Sequence, residues 1–218
     1  MTFNHPSVLD WFLDFLWPCR CAFCGEIIAP PARCCKKCAG EFSLCPSFPV
    51  AGLDAVFAFT DYSHRVAHAV HLLKFQNQPQ LAVLFAQLID SRFHQQLLDC
   101  APDCICFVSM YPKKEKQRRY NQAKLIAEEL GRCLSLPCCP LLKKTASTAA
   151  QHTLSAEQRK RNLRGVYTAA APEQIAGKRI LLVDDVITTG STMTECAGVL
   201  IEHGAVWVGG VCFAHPVV

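Results

Sequence analysis

The chain has 218 residues, of which 51% are hydrophobic, and a formal net charge of +4. This length can bury a substantial core and fits one large domain, or one domain with a small module. The mildly basic balance does not by itself indicate nucleic-acid binding. Fifteen cysteines in a chain of this length favour metal thiolates and buried thiols over a disulfide framework, and they predict a reducing compartment.

Residues 1–18 are apolar but lack the features of a signal peptide. Asp10 and Asp14 interrupt the apolar run, no basic region precedes it, and it ends in a proline instead of a small-residue cleavage site. No apolar run approaches the roughly 20 residues that a membrane-spanning helix needs. We therefore expect an amphipathic helix here, no transmembrane segment and a cytoplasmic location.

Two CxxC pairs separated by ten residues come next, formed by Cys21, Cys24, Cys35 and Cys38. This spacing predicts one tetrahedral, structural Zn²⁺ site with four thiolate ligands. Cys34 competes with Cys35 as a ligand, and Cys19 and Cys45 are further thiols that could substitute. A cluster of thiols without metal is the alternative. We expect residues 1–50 to hold the N-terminal segment and the zinc module, and residues 51–218 to form a second domain.

Strands and helices alternate through this second domain. Continuous apolar runs or apolar alternation predict strands at 55–62, 105–108, 180–183 and 205–213, and apolar residues at helical spacing predict helices between them. The first of these helices should end near Lys74. The alternation predicts an α/β fold with a doubly wound, mostly parallel sheet, which carries the small N-terminal zinc module.

A basic run follows the strand at 105–108. Residues 113–122 have the sequence KKEKQRRYNQ and precede a predicted helix. A strand end, a basic loop and a helix start form a place where a doubly wound sheet can bind phosphate. The alternatives are a solvated cluster of charges and a nucleic-acid surface that uses the same cations.

Residues 143–164 form a polar stretch with few large aliphatic side chains. We expect a mobile loop that enters a charged helical segment. Loops of this length between core elements are usually functional or disordered. A solvated linker is the alternative interpretation.

The stretch RILLVDDVITTGSTM, residues 179–193, combines a buried strand, two acids and a loop of small residues. Thr192 and Glu195 fit a capping box that opens a helix. Free backbone N–H groups and the positive end of a helix converge at such a corner and favour a phosphate. Only 33 residues follow Asp185, too few for a receiver domain, and a Walker loop would need a lysine after Gly190. An ordinary strand–turn–helix corner remains as the alternative.

The segment VDDVITTGST, residues 183–192, resembles the phosphoribosyl-pyrophosphate (PRPP) loop of type I phosphoribosyltransferases, and more narrowly that of the ComF/GntX family. The resemblance implies that Asp184 and Asp185 contact the ribose hydroxyls of PRPP. It also implies a cradle for the 5′-phosphate formed by Thr188, Thr189, Gly190, Ser191 and Thr192.

The resemblance extends over nearly the whole chain. The residues implied at the pyrophosphate are Lys74, Lys113, Lys114, Lys116, Arg118, Arg119, Asn121 and Gln122. Gln151 and Arg159 match the loop that closes over the reacting centre in phosphoribosyltransferases. Two departures from the family pattern are present: Arg119 replaces a glycine, and residues 109–111 (Ser-Met-Tyr) replace the usual valine and proline.

Two functions follow from the resemblance. The first is an enzyme that binds PRPP with Mg²⁺ and transfers the phosphoribosyl group to an unidentified nitrogen acceptor. The second is a non-catalytic protein of competence or DNA utilisation that binds single-stranded DNA, PRPP or both, with competence proteins as partners. Neutralising Lys113, Lys114 and Lys116 should weaken DNA binding and flatten its salt dependence, because strand affinity depends on released counterions. Replacing Asp184 and Asp185 by asparagine should abolish PRPP binding and leave DNA affinity nearly intact.

Overall fold

The computed structural model describes residues 18–146 and 165–217. Within those two ranges, no helix has the length and apolar character needed to cross a bilayer. The predicted amphipathic helix in residues 1–18 lies, apart from Pro18, outside the described residues. Gln151 and Arg159 also lie outside them, so their predicted roles stay predictions.

A four-stranded parallel sheet forms the centre of the molecule. Its strands follow each other in space in the order β1, β6, β5 and β2. Their bounds are β1 Ala55–Asp61, β2 Cys104–Phe107, β5 Arg179–Val186 and β6 Trp207–His215. All of β2 is buried, as are the seven middle residues of β6, because helices cover both faces of the sheet and leave no polar face.

Six α-helices are described, and they lie on both faces of the sheet. Their bounds are α1 Lys36–Gly40, α2 His64–Phe75, α3 Gln80–Asp99, α4 Pro112–Arg118, α5 Gln122–Leu134 and α6 Ser191–Glu202. Phe85 of α3 stacks on Phe213 of β6 with ring centroids 3.7 Å apart. Met193 of α6 faces Gly210, three residues earlier on the same strand. Because successive side chains of a strand point to opposite faces, α3 and α6 cover opposite sides.

A two-stranded antiparallel hairpin lies outside the main sheet. Its strands are β3 Leu142–Lys144 and β4 Tyr167–Ala169. The sequence assigned residues 143 and 144 to a loop, and this was wrong because the second strand, 23 to 25 residues later in the chain, supplies the partner backbone. The two strands pair Lys143 with Thr168. Only residues 147–164 of the predicted loop lie outside the described part of the chain.

The fold class predicted from sequence is confirmed, while several local predictions need correction. The basic run begins as helix α4, not as a loop, because Pro112 at its first turn favours a helical start. Strand β5 continues through Asp184 and Asp185 instead of ending before them. The capping box is also wrong: α6 starts at Ser191, Gly190 is its N-cap, and Glu195 accepts a hydrogen bond from Gly165 N at 2.6 Å.

The cysteine-rich segment packs directly on the α/β domain. Phe23, which lies between two cysteines, is buried, and its ring centroid lies 6.4 Å from that of Phe85 and 6.3 Å from that of Phe213. Phe42 lies edge-on to Phe59 of β1, with centroids 5.0 Å apart. Both parts thus share one hydrophobic core. The division at residue 50 stays a prediction.

Candidate functional site

A cavity of about 160 Å³ opens at the carboxyl ends of β2 and β5. This edge of a parallel sheet is where open α/β folds usually bind ligands, because the loops that follow the strands converge there. The cavity brings together seven of the residues that the sequence assigned to a PRPP site: Lys74, Lys114, Arg118, Asn121, Gln122, Asp184 and Asp185.

The two acids occupy different environments at the end of β5. Asp184 Oδ1 accepts a hydrogen bond from Asp185 N at 2.8 Å, and Asp185 Oδ1 accepts one from Val186 N at 2.9 Å. Asp185 is buried, with 6% of its surface exposed. Its Oδ2 lies 2.7 Å from Lys74 Nζ. Lys74, near the end of α2, thus forms an ion pair with Asp185. The sequence did not predict this pair because the two residues lie far apart in the chain.

Burial and charge shift the pKa values of this group. Burial, together with the neighbouring Asp185 charge, raises the pKa of Asp184 to about 8, although Lys74 acts in the opposite direction. For Lys74, burial alone would lower the pKa, but the negative charges of Asp185 and Asp184 raise it above its ordinary value. Lys74 therefore stays charged. A cation bound beside Asp184 would lower its pKa again and favour the charged carboxylate.

The start of α5 contributes two amides. Asn121 is the N-cap: its Oδ1 accepts from Lys124 N at 3.4 Å, and its Nδ2 donates to Val108 O at 3.0 Å, which ties the helix start to the end of β2. Gln122 Oε1 accepts from Arg118 Nη1 at 3.3 Å. Gln122 Nε2 is buried and lacks a hydrogen-bond partner among the described residues. An unpaired buried donor beside a cavity is costly, and a ligand oxygen could satisfy it.

The other cations of the basic run lie around the cavity, not in it. Lys113, Lys116 and Arg119 are exposed, and none of the three is among the described residues that line the cavity. Arg119 lines a neighbouring cavity with Lys114 and Arg118. The helical conformation of α4 explains this division, because successive side chains of a helix point in different directions.

Arg119 adopts a left-handed backbone conformation, with φ +73°. This conformation costs an L-residue roughly 1–2 kcal/mol and costs glycine nothing comparable. The turn between α4 and α5 requires a positive φ at position 119, which explains why the family pattern has a glycine there. This chain adopts the left-handed turn with an arginine, and the arginine side chain is exposed beside the site.

We expect Arg119→Gly to stabilise the protein by about 0.5–1 kcal/mol, because glycine relieves the strain at φ +73°. The greater conformational freedom of glycine in the unfolded chain offsets part of this gain. Urea denaturation monitored by circular dichroism measures this change. Lys116→Gly, inside α4, is the matched control and should destabilise by up to about 1 kcal/mol. Equal destabilisation by both changes would show that the turn carries no strain.

The loop assigned to the 5′-phosphate lies at the N-terminus of α6. Thr189 Oγ1 and Ser191 Oγ lie 2.9 Å apart, and Ser191 N donates to Thr189 Oγ1 at 3.5 Å. Gly190 has φ +73°, and a Cβ atom there would lie 2.9 Å from a methyl group of Val50. Within the described parts of the chain, residues 188–192 do not line the 160 Å³ cavity. The loop follows the acids by only two residues, so it extends the same edge of the sheet.

Among the described lining residues that sequence reasoning did not assign to the site are Lys144 and Tyr167. They lie opposite each other in the β3–β4 hairpin, and Lys144 Nζ lies 5.0 Å from the centroid of the Tyr167 ring. Burial and the nearby Lys114 charge lower the pKa of Lys144, while Asp184 acts in the opposite direction. Residues 142–144 are Leu-Lys-Lys and show no alternation of apolar and polar residues, so periodicity gave no signal for this strand.

The four predicted cysteine ligands lie together. The Sγ atoms of the cluster are all within 4.8 Å of one another and could hold a metal ion; its members are Cys21, Cys24, Cys35 and Cys38. A tetrahedral Zn²⁺ with Zn–S bonds of about 2.3 Å would place its sulfurs about 3.8 Å apart. The Cys24 and Cys35 sulfurs are 3.8 Å apart, so the donor set fits zinc.

Backbone amides donate hydrogen bonds to two of these four sulfurs. Cys35 N donates to Cys21 Sγ and Cys38 N donates to Cys35 Sγ, both at 3.4 Å. Cys34, the competing ligand in the sequence, donates instead to the carbonyl oxygen of Cys35 at 3.4 Å. The geometry therefore selects Cys35. All 15 cysteines lie in described residues and are free thiols.

A model of the phosphoribosyl transferase domain matches residues 125–216. Together with the parallel sheet and the cavity at its carboxyl edge, this match defines a domain of the phosphoribosyltransferase class. The chain is 31% identical to competence protein F of Haemophilus influenzae, over 86% of this chain and 82% of that protein. It is 29% identical to the DNA utilization protein YhgH of Salmonella typhimurium, over 91% of this chain and 96% of that protein. The chain belongs to the ComF family.

Among solved structures, a glutamine PRPP amidotransferase from B. subtilis, complexed with ADP and GMP, is 20% identical. The similarity covers 62% of this chain and 25% of that chain, with a TM-score of 0.38. This likeness is too distant to indicate a function.

Proposed function

We propose that the cavity binds PRPP and that the protein transfers its phosphoribosyl group to a nitrogen acceptor. The observation that carries the proposal is the meeting of two acids and several cations in one cavity. Asp184 and Asp185 lie at one wall, while Lys114, Arg118 and Lys144 lie at others. A sugar that carries a diphosphate needs both: carboxylates to accept hydrogen bonds from its hydroxyls and cations to neutralise its phosphates.

The individual roles follow from this division of charge. Asp184 and Asp185 would accept hydrogen bonds from the ribose hydroxyls. Lys114, Arg118 and Lys144 would surround the diphosphate, and the unpaired Gln122 Nε2 would donate to one of its oxygens. The loop at residues 188–192, at the N-terminus of α6, would hold the 5′-phosphate with its free backbone N–H groups. Gln151 and Arg159 stay proposed members of a loop that excludes water from the reacting centre.

Lys74 would help to orient the acids. Its ion pair holds Asp185 Oδ2, while backbone N–H groups hold Oδ1 of each acid, so the orientations of both carboxylates are set before a ligand binds. Phosphoribosyl transfer develops positive charge on the ribose and negative charge on the departing diphosphate. Cations held in place before the reaction stabilise that departing charge without a cost of reorganisation.

Magnesium fits the donor set of the site. Carboxylate oxygens are ligands that Mg²⁺ prefers, and the ion usually keeps several waters and binds through one or two carboxylates and the substrate's phosphates. Asp184 is the carboxylate best placed to contribute, because Asp185 already pairs with Lys74. When bound, the ion would neutralise part of the diphosphate charge.

We further propose that the cysteine cluster binds a structural Zn²⁺ and that residues 1–50 form a separate module on a domain of residues 51–218. Phe48 and Val50 connect this module to the site: Phe48 stacks on His215 at 3.5 Å between centroids, and Val50 contacts Gly190. The metal would thus support the position of the phosphate loop from a distance.

Isothermal titration of the purified chain with PRPP and Mg²⁺ tests the proposal. We expect a heat of binding with a dissociation constant in the roughly 1 μM–1 mM range of ordinary substrates. Ribose 5-phosphate, which lacks the diphosphate, is the matched ligand and should bind more weakly because the cations have no partner. Release of pyrophosphate on addition of candidate nitrogen bases would identify the acceptor. A folded protein that gives no heat with PRPP would exclude the assignment.

A further inference from the structure

The last turn of α2 needs a hydrogen-bond donor from elsewhere in the chain. The final four carbonyl groups of a helix have no N–H partner within that helix. Because α2 ends at Phe75, the carbonyl group of Leu73 is one of these four. Asn77, whose N–H would reach it in a longer helix, has a left-handed φ of +51°. Leu73 is fully buried, and a buried carbonyl without a hydrogen bond is costly.

Tyr120 supplies that donor from the turn between α4 and α5. Its Oη donates to Leu73 O at 2.6 Å, although the two residues lie 47 positions apart in the chain. The side chain is partly buried and packs against the hydrophobic core. Burial raises the pKa of the Tyr120 hydroxyl above its ordinary value, so the group keeps its proton and remains a donor at neutral pH.

The same turn is also attached to the end of β2. Asn121, the residue after Tyr120, donates from Nδ2 to Val108 O at 3.0 Å. The turn is therefore held between α2 on one side and β2 on the other. These contacts connect two elements that bring cations to the 160 Å³ cavity, α2 with Lys74 and the α4 end of the turn with Arg118.

We propose that Tyr120 is a positioning residue of this cavity, and that its hydroxyl holds the end of α2 so that Lys74 stays paired with Asp185. Lys74 follows Leu73 directly, and its Nζ lies 2.7 Å from Asp185 Oδ2. A lysine side chain is flexible, so the pair depends on where the backbone of α2 is held. Tyr120 is not among the described residues that line the cavity, and it acts through Lys74. The inference rests on the function proposed for the cavity.

Tyr120→Phe removes only the hydroxyl group and tests the inference in the absence of PRPP. We expect an amine-reactive N-hydroxysuccinimide ester to label Lys74 faster relative to Lys178, because an amine released from its carboxylate is more accessible and more nucleophilic. Lys178 is exposed and precedes β5 at the opposite edge of the sheet. Peptide mass spectrometry of the folded protein measures both rates. An unchanged ratio of the two rates would overturn the inference, whatever the protein does with PRPP.

Isothermal titration with PRPP and Mg²⁺ measures the consequence for binding. Tyr120→Phe should weaken binding roughly two- to tenfold, the range that corresponds to the loss of one hydrogen bond. In a Lys74→Met background the same change should cause no further loss, because it acts through the residue already removed. Losses that multiply in the double variant would show that Tyr120 acts independently of Lys74, which contradicts the inference.

Ser91→Ala is the matched control for both measurements. Ser91 Oγ donates to Leu88 O at 2.8 Å on α3, so the change removes another hydrogen bond from a hydroxyl group to a helix carbonyl. It should leave the labelling ratio and the affinity for PRPP unchanged. Urea denaturation establishes that all variants are folded under the assay conditions. Failure of the original protein to bind PRPP would count against the proposed function, whereas the labelling ratio tests the role of Tyr120 separately.

Discussion

Replacing Asp184 and Asp185 together by asparagine is expected to weaken PRPP binding at least about 100-fold. Each carboxylate would lose a charge-assisted hydrogen bond to a ribose hydroxyl, a loss of about 1.5–3 kcal/mol for each acid. The change also leaves Lys74 without the carboxylate that lies 2.7 Å away. A buried cation without its partner would pair with other polar groups and disturb the geometry of the site. Isothermal titration with PRPP and Mg²⁺ measures the loss.

The matched control is the double change of Glu128 and Glu129 to glutamine. These two adjacent acids lie on α5 and pair at the surface with Lys124 and Arg132. The control removes the same charge and the same number of carboxylates but should leave the affinity for PRPP unchanged. Circular dichroism establishes that both variants fold. Equal affinity of the Asp184/Asp185 variant and the original protein would remove the acids from the proposed site.

Replacing Cys35 by serine is expected to remove the metal and unfold the N-terminal module. A structural zinc site contributes on the order of 10 kcal/mol to the folding of such a module, and three thiolates hold the ion far less well than four. Phe23, between two of the ligands, is 3% exposed and packs on Phe85 and Phe213. Loss of the module would therefore also lower the Tm of the whole chain.

Cys34→Ser is the control for this prediction, since it removes the neighbouring thiol that the geometry excludes as a ligand. Mass spectrometry of the bound metals should give about one zinc per chain for the Cys34 variant and almost none for the Cys35 variant. In thermal denaturation, the Cys35 variant should have a lower Tm than the Cys34 variant. The reverse result, with metal retained only by the Cys35 variant, would mean that Cys34 is the ligand.

The residues of the candidate sites differ in how well the sequence predicts them. The acids, the phosphate loop and the two CxxC pairs are local patterns, since their chemistry depends on residues that are neighbours in the chain. Lys144 and Tyr167 were missed because they are 23 residues apart in the chain and become neighbours only when the two strands of the hairpin pair. The exposure of Phe75 could not be predicted either, because an apolar residue after a buried helix face is usually packed.

The role of the basic run at residues 113–122 could be predicted only in part from the sequence. Its charge predicted a phosphate site, which stays a prediction, and the sequence could not show which of its cations line the cavity and which face solvent. Helix α4 makes that division by turning Lys114 and Arg118 toward the cavity and Lys113 and Lys116 away from it. The same helix ends at Arg119 in a left-handed conformation, which explains the position of a glycine in the family pattern.

The sequence by itself determined the alternating α/β fold, the grouping of four cysteines and the position of two acids beside a loop of small residues. Each of these depends on periodicity or spacing over a few residues, which local chemistry enforces. The tertiary structure decided which residues share a cavity. It paired Lys74 with Asp185, brought Lys144 to the same cavity and left Phe75 exposed, because packing the helices on the sheet joins segments that lie far apart in the chain.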